Sequence, residues 1–324
     1  MLLAIVGCIP EIMGNPFPST QEFVDFGRKT CFSLFDRISE FCQKKGKAER
    51  TDGREGKDEN NITTVLDKFV QRIFEDEIRS FREVNGLPIK ILGEEIKSQV
   101  DMETFEGVVA FIDPIDGTDL VFRGFGNWCL ALLFFYPKER RIIASFVGLS
   151  THELFYATES GVWREIRPKT FEENDEVERR KRISVARDLE KPARLEQAII
   201  CFYGQKAKYF NAFAQQPKIK ALLTEFEKRS ESEVIDMRLY NFGGNPMIAK
   251  VASGDVDIVI GLFPQKVYDV IPAAYIARQA EALVTDLNGE SIDFAEKLKK
   301  YEERVSYIVA GNRSLHTDVK ALVQ

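Results

Sequence analysis

Histidine is almost missing from this chain, with 2 in 324 residues, His152 and His316, and neither sits beside a nucleophile in a recognisable motif. That removes the usual proton carrier of serine and cysteine hydrolases. The five cysteines, Cys8, Cys31, Cys42, Cys129 and Cys201, are odd in number, widely scattered and form no Cys-x-x-Cys pair. Neither a zinc site nor a disulfide framework is written in them, and they read as reduced, mostly buried thiols. A surplus of one charge is also missing, since 45 basic side chains face 51 acidic ones. Overall charge therefore offers no nucleic-acid or anionic-membrane surface, while a local basic pocket for phosphate stays open. No apolar run is long enough to span a bilayer without charge. Chemistry is left to carboxylates and lysines.

What is present is a chain long enough for two ordinary domains, each with its own core. Met1 to Pro10 is apolar, but no basic residue precedes Cys8 and seven apolar residues make a short export signal, so a cytoplasmic protein is expected. Ser19-Thr20-Gln21-Glu22 is a capping-box pattern, followed by Phe23, Phe26, Leu34, Phe35, Ile38 and Phe41 at helical spacing. Lys47 to Asn60 reads as an exposed loop, and Leu66 to Phe81 as a second amphipathic helix with Asp67 in its first turn. Strand-like runs follow at Ile89 to Leu92, Val108 to Ile112, Trp128 to Tyr136, Arg141 to Leu149 and Leu154 to Ala157. These predict a mostly antiparallel sheet behind two helices, an α+β domain over 1–195. The charged stretch Glu165 to Arg182 reads as a surface excursion near its boundary. From 196 to 324, strands alternate with helices at Ala207 to Lys228, Asn245 to Ala252 and Val270 to Ala280, which predicts a second, α/β domain.

Two strand ends carry acid. Ile91-Leu92-Gly93-Glu94-Glu95 and Phe111-Ile112-Asp113-Pro114-Ile115-Asp116-Gly117-Thr118 each run from apolar residues into carboxylates. Asp-Pro and Asp-Gly also end strands as plain turns, and that reading stays open. If the two strands are neighbours, Glu94, Asp113 and Asp116 converge, with Asp67 within reach. Carboxylates about 4 Å apart repel by roughly 4 kcal/mol per pair at an effective dielectric near 20, so such a cluster needs cations. Hard oxygen donors without His or Cys select Mg²⁺, with Mn²⁺ as a substitute. Gly117-Thr118, at a turning strand end, offers backbone N–H groups and a hydroxyl to a phosphate oxygen. The inferred reaction is phosphate-ester hydrolysis. Further on, Asp269 in Tyr268-Asp269-Val270-Ile271-Pro272 reads by itself as a helix N-cap, with Pro272 in the first turn.

Gly93-Glu94-Glu95, Asp113 to Thr118, Tyr268-Asp269 with Ala273-Ala274, and Val284-Thr285-Asp286 to Gly289 resemble, in that order, the motifs of the inositol monophosphatase family. The resemblance runs from about Phe17 to Asn312. It implies a layered αβαβα sandwich and a Mg²⁺-dependent, lithium-sensitive phosphomonoesterase with two or three ions, in a superfamily that includes fructose bisphosphatases and phosphoadenosine phosphate phosphatases. Carried over by residue, Glu94, Asp113 and the carbonyl of Ile115 would hold the first ion, and Asp113, Asp116 and Asp269 the second. Gly117 and Thr118 would meet the phosphate, with Asp116 and Asp269 beside it. Glu94 and Thr118 would orient the attacking water, with Asp67 in support. Lys57 is a looser match to a lysine of a mobile loop. A small phosphorylated metabolite is the implied partner, inositol monophosphate or a related sugar or nucleotide phosphate, and the family is often homodimeric.

The chain also departs from the pattern. Tyr268 replaces a tryptophan, Asp119-Leu120-Val121 follows Thr118, Gln279-Ala280-Glu281-Ala282 replaces Glu-Ala-Gly-Gly, and Leu262 falls where inositol-binding members place a glutamate. An alternative therefore stands beside the enzyme: a degenerate member that binds phosphorylated ligands or a partner without turnover.

Overall fold

The computed structural model describes residues 17–45, 65–93, 96, 98–123, 126–167, 180–183, 194–204, 206–229 and 235–324. The chain opens with α1 (Thr20–Lys45) and α2 (Val65–Asn85). The capping box at the start of α1 is formed as read, since Glu22 Oε2 accepts from Ser19 N at 2.7 Å and Ser19 Oγ accepts from Glu22 N at 3.3 Å. Next come β1 (Ile89–Gly93), β2 (Val108–Asp116), the short α3 (Thr118–Arg123), β3 (Cys129–Tyr136), β4 (Arg141–Leu149), β5 (Glu153–Thr158), β6 (Gly161–Ile166) and β7 (Arg180–Arg182). The seven strands form one sheet in sequence order, antiparallel except for the parallel pair β1–β2.

The second half supplies β8 (Ile199–Phe202), α4 (Ala207–Ala214), α5 (Pro217–Arg229), β9 (Arg238–Tyr240), α6 (Asn245–Ser253), β10 (Ile258–Lys266), α7 (Ile271–Gln279), β11 (Leu283–Thr285), α8 (Phe294–Lys299), β12 (Arg304–Ala310) and α9 (Arg313–Val323). Its five strands are ordered β11-β12-β10-β8-β9. The single helix expected over Ala207 to Lys228 is two. Pro217, which has no N–H to donate, begins the second after a break at Gln215-Gln216.

Three apolar cores stack the layers. Phe23, Leu34, Leu66, Val70 and Phe74 of α1 and α2 pack on one face of the large sheet with Ile112, Phe134 and Phe146. Ring contacts bind this core, with Phe26–Phe81 centroids 4.4 Å apart and Phe23–Phe134 at 5.0 Å, each such pair adding about 0.5–1.5 kcal/mol beyond burial. The opposite face, with Phe111, Leu133 and Phe155, meets α6 and α7, which are buried nearly all round against Val259, Tyr307 and Val309 of the smaller sheet. A third core lies between that sheet and α4, α5 and α9. The result is helices, sheet, helices, sheet, helices: an αβαβα sandwich.

The charged run Glu165 to Arg182 is partly sheet. Glu165 pairs with Arg180 and Trp163 with Arg182, so β7 is a three-residue, arginine-rich edge. Its lack of apolar periodicity is what an edge strand guarded by charge produces. Glu165 also takes a two-pronged ion pair from Arg28 on α1, at 2.8 and 2.9 Å. Residues 168–179 lie outside the described set. No helix among the described residues is long and apolar enough to cross a membrane.

Cys31, Cys129 and Cys201 are free and buried, and burial pushes the Cys31 and Cys201 thiols up to about 12. His316 is buried, its Nε2 2.8 Å from Thr285 Oγ1. That hydroxyl already donates to the carbonyl of Asp286, so the imidazole N–H is the donor. Burial first, then Lys320 and Arg313, lowers the His316 pKa. The unfolded chain thus binds the proton more readily, and stability is expected to fall as pH drops from the ordinary imidazole value of about 6.5 towards the lower folded value. Urea unfolding across pH 5–8 should show this slope in the wild type and lose it in His316→Gln. Equal slopes would rule it out.

Candidate active site

In a regular strand, residues three apart face opposite sides of the sheet. Asp113 and Asp116 escape this because β2 carries a bulge: Asp113 pairs with Ala131 and Asp116 with Cys129, so the four residues from Asp113 to Asp116 oppose three on β3. Pro114, which cannot donate to a ladder, sits inside it. The extra residue restores parity. Phe111 belongs to the core shared with α6 and α7, Ile112 and Ile115 to the core under α1 and α2, and both carboxylates turn to the α6/α7 side.

Asp113 is buried at 3% exposure and Asp116 half-buried. Asp269 arrives from the same side, at the end of a one-turn helix, Val267–Asp269, whose Val267 and Tyr268 lie in that core. The three aspartates act on one neighbour: burial, and after it the fields of Asp116, Asp113 and Asp269, hold the Cys129 thiol well above its ordinary range. Asp116 and Asp269 likewise add to the burial that raises the Tyr307 hydroxyl. The reading of Asp269 as N-cap of the following helix gives way. The cap of α7 is Val270, with no side-chain bond, and Asp269 Oδ2 accepts instead from Lys266 N at 3.3 Å.

Gly117 follows the bulge at φ +94, where a Cβ would stand 3.0 Å from the carbonyl of Asn127, and its own carbonyl accepts from Leu120 N at 2.8 Å to start α3. Thr118 Oγ1 donates to the carbonyl of Ile115 at 2.8 Å. β1 ends at Gly93 opposite Ile112, so the strand that leads to Glu94 is indeed the neighbour of the strand carrying Asp113. Glu94, Lys57 and the side chain of Asp119 lie outside the described residues. Asp67 is buried in the first turn of α2, in the layer on the other face of the sheet.

Sequence reasoning missed the partners of Asp116. Asn245 N donates to Asp116 Oδ2 at 2.9 Å, from a residue 129 positions away. Gly244 approaches so closely that a Cβ there would meet Asp116 Oδ2 at 2.8 Å. Behind it, Gly244 N donates to Tyr307 Oη at 3.3 Å, and that hydroxyl donates to Gln265 Oε1 at 2.7 Å. The local signal was Gly243-Gly244-Asn245-Pro246, two glycines before a proline-led apolar helix. It marks a tight turn, while its target is set by the fold.

Among the described residues no group of three or more His, Cys, Asp and Glu side chains closes into one coordination sphere. The donor chemistry still fits Mg²⁺. That ion keeps several waters beside one or two carboxylates, and the oxygens of Asp113, Asp116 and Asp269 would be hard ligands for it, while burial and their fields raise the pKa of the Cys129 thiol.

This layered sandwich, with carboxylates at the bulged end of the strand next to the sheet edge, has the architecture of a small-molecule phosphatase. The profile of the inositol monophosphatase family matches residues 21–324, and the chain belongs to that family of phosphoric monoester hydrolases. A fructose-1,6-bisphosphatase/inositol-1-monophosphatase of Archaeoglobus fulgidus is 26% identical over 222 residues, 67% of this chain and 70% of the relative. The structure of an inositol monophosphatase from Thermotoga maritima superposes with a TM-score of 0.66 at 21% identity, covering 93% of this chain and 96% of the other. An inositol monophosphatase/NADP phosphatase complexed with Mg²⁺ and phosphate gives 0.63 at 20% identity, with 94% and 95% covered.

Proposed function

We propose that this chain is a Mg²⁺-dependent phosphomonoesterase that hydrolyses a small phosphorylated metabolite by in-line attack of water on phosphorus. The observation that supports the reading is the β2 bulge, which turns Asp113 and Asp116 to one face, with Asp269 near enough that all three act on the Cys129 thiol. Asp113, Asp116 and Asp269, with Glu94 and the Ile115 carbonyl, would hold the ions. When bound, Mg²⁺ supplies positive charge to the phosphate oxygens and acidifies water. The chain's own groups then position the reactants. Gly117 and Thr118 seat the phosphate, and Thr118, with its proton directed at the Ile115 carbonyl, keeps its lone pairs for the attacking water. Glu94 aligns that water. As the water oxygen bonds to phosphorus it gives up one proton to solvent, the ester P–O bond breaks, and the leaving alkoxide takes up a proton from solvent.

Inositol monophosphate or a related sugar or nucleotide phosphate fits this site, and one surface favours the nucleotide. A Cβ on Gly243, next to the Gly244–Asp116 contact, would touch Tyr203. Tyr203 leads to Tyr209 at 5.9 Å between centroids and on to Phe263 at 4.3 Å, with Lys208 Nζ 4.9 Å above Tyr209. Leu262 packs, partly buried, against the outer core and offers no carboxylate to a sugar hydroxyl. Aromatic faces with a lysine suit a flat base better than a polyol.

Phosphate release from inositol 1-phosphate, fructose 1,6-bisphosphate, 2′-AMP and adenosine 3′,5′-bisphosphate tests the proposal. Release is expected with Mg²⁺, restored by Mn²⁺ after chelation and reduced by Li⁺, and faster from the nucleotides. Undiminished release in chelator would sink the metal reading. Calorimetric binding of these esters without release in saturating Mg²⁺ would favour the degenerate, ligand-binding alternative.

A further inference from the structure

We propose that Asn245 is a positioning residue that locks Asp116 and Asp269 into one unit, an inference that rests on the reading of these aspartates as Mg²⁺ ligands. Asn245 is completely buried, and it touches both aspartate-bearing segments at once. Its backbone N–H donates to Asp116 Oδ2 at 2.9 Å. Its Nδ2 donates to the carbonyl of Tyr268, the peptide that leads into Asp269, at 2.8 Å. Its Oδ1 accepts from Ala273 N at 3.1 Å.

The last bond explains how Asp269 escapes the N-cap role. The first N–H groups of a helix have no partner within it, and a side chain at the N-cap ordinarily accepts one of them. In α7 the N-cap is Val270, which has no acceptor, and Ala273 N–H is taken instead by Asn245 from α6. The Ala273 N–H is thus satisfied from α6, and the N-cap position itself is Val270 rather than Asp269. Asn245 is itself held, because Tyr307 Oη accepts from the preceding Gly244 N and is anchored on Gln265.

Only an amide on a short stem does this. The position needs a donor towards Tyr268 and an acceptor towards Ala273 on one side chain. Alanine has neither and aspartate lacks the donor, while serine carries a single oxygen on a shorter reach. Groups that hold metal-ligating carboxylates in place typically change metal affinity or activity 10–100-fold when removed.

The test is Asn245→Ala in the full chain, with Mg²⁺ binding measured by calorimetry in the absence of substrate and kcat and KM measured separately. Mg²⁺ affinity is expected to fall about tenfold and kcat about 30-fold, with KM for the ester within threefold of wild type. Asn245→Ser should lie between the two, and it carries the test if the alanine variant does not fold. A folded variant with wild-type Mg²⁺ affinity overturns the proposal, even if its melting temperature has dropped, because that pattern is packing alone. A wild-type chain that binds no Mg²⁺ overturns this proposal and the metal reading together. A wild type that binds Mg²⁺ but releases no phosphate removes the phosphatase reading and leaves the Asn245 comparison to be decided by affinity.

Discussion

Asp116→Asn is expected to lower kcat by roughly 10³-fold or more, a loss of about 4 kcal/mol of transition-state stabilisation, while the chain stays folded. The substitution keeps the shape and removes one of the three negative charges, with Asp113 and Asp269, whose fields act on Cys129. It also exchanges an oxygen that can accept from Asn245 N–H at 2.9 Å for an amide that accepts at one atom only. Because the three carboxylates repel one another without a cation, the variant should melt at the same temperature as the wild type, or higher, when Mg²⁺ is chelated. Stability and activity then move independently. Turnover within tenfold of wild type would remove Asp116 from the chemistry, and a large loss of chelated-state stability would make its role structural.

Gly244→Ala should damage both properties. At φ 72 and ψ −167 Gly244 occupies a region that is essentially closed to other residues, which costs about 1–3 kcal/mol by itself. The new methyl would stand 2.8 Å from Asp116 Oδ2 and 3.3 Å from Oδ1, so the carboxylate must move. A displacement of about 1 Å at a reacting centre is enough for roughly a 10²-fold loss in rate. Gly86→Ala separates the two costs, since Gly86 has φ +61 and open space where the Cβ would go. It should lower the melting temperature by the equivalent of about 1–2 kcal/mol and leave turnover unchanged. If Gly244→Ala behaves like Gly86→Ala in both thermal denaturation and phosphate release, the close approach to Asp116 has no functional weight.

Glu281 marks one family departure in backbone terms. It stands at φ 73, a conformation glycine adopts without strain and where the family motif has glycine.

Much was legible in the chain because it is local. The capping box at Ser19, the phenylalanine periodicity of α1 and α2, and the apolar runs that became β2 to β5 depend on neighbours a few residues apart, and the elements formed where the spacing required. The same holds for Asp113, Asp116 and Asp269 as candidates, since carboxylates at the ends of apolar runs are visible without coordinates. The helix break before Pro217 and the strand Arg180–Arg182 were harder to read. A proline can begin a helix as well as end one, and a charged edge strand gives no apolar period.

What the sequence determined alone was therefore the set of groups: which acids stand where a strand or helix turns, and, by the absence of useful histidine and cysteine, what kind of ion they suit. Only the tertiary structure decided that Asp113 and Asp116 share a face, because the parity of a strand is changed by a bulge that exists only in its pairing with β3. Only the tertiary structure brought Gly244 and Asn245 to Asp116 and relieved Asp269 of capping α7. Those contacts join segments far apart in the chain through a core shared by two sheets, and no periodicity of 2 or 3.6 residues carries information over that distance.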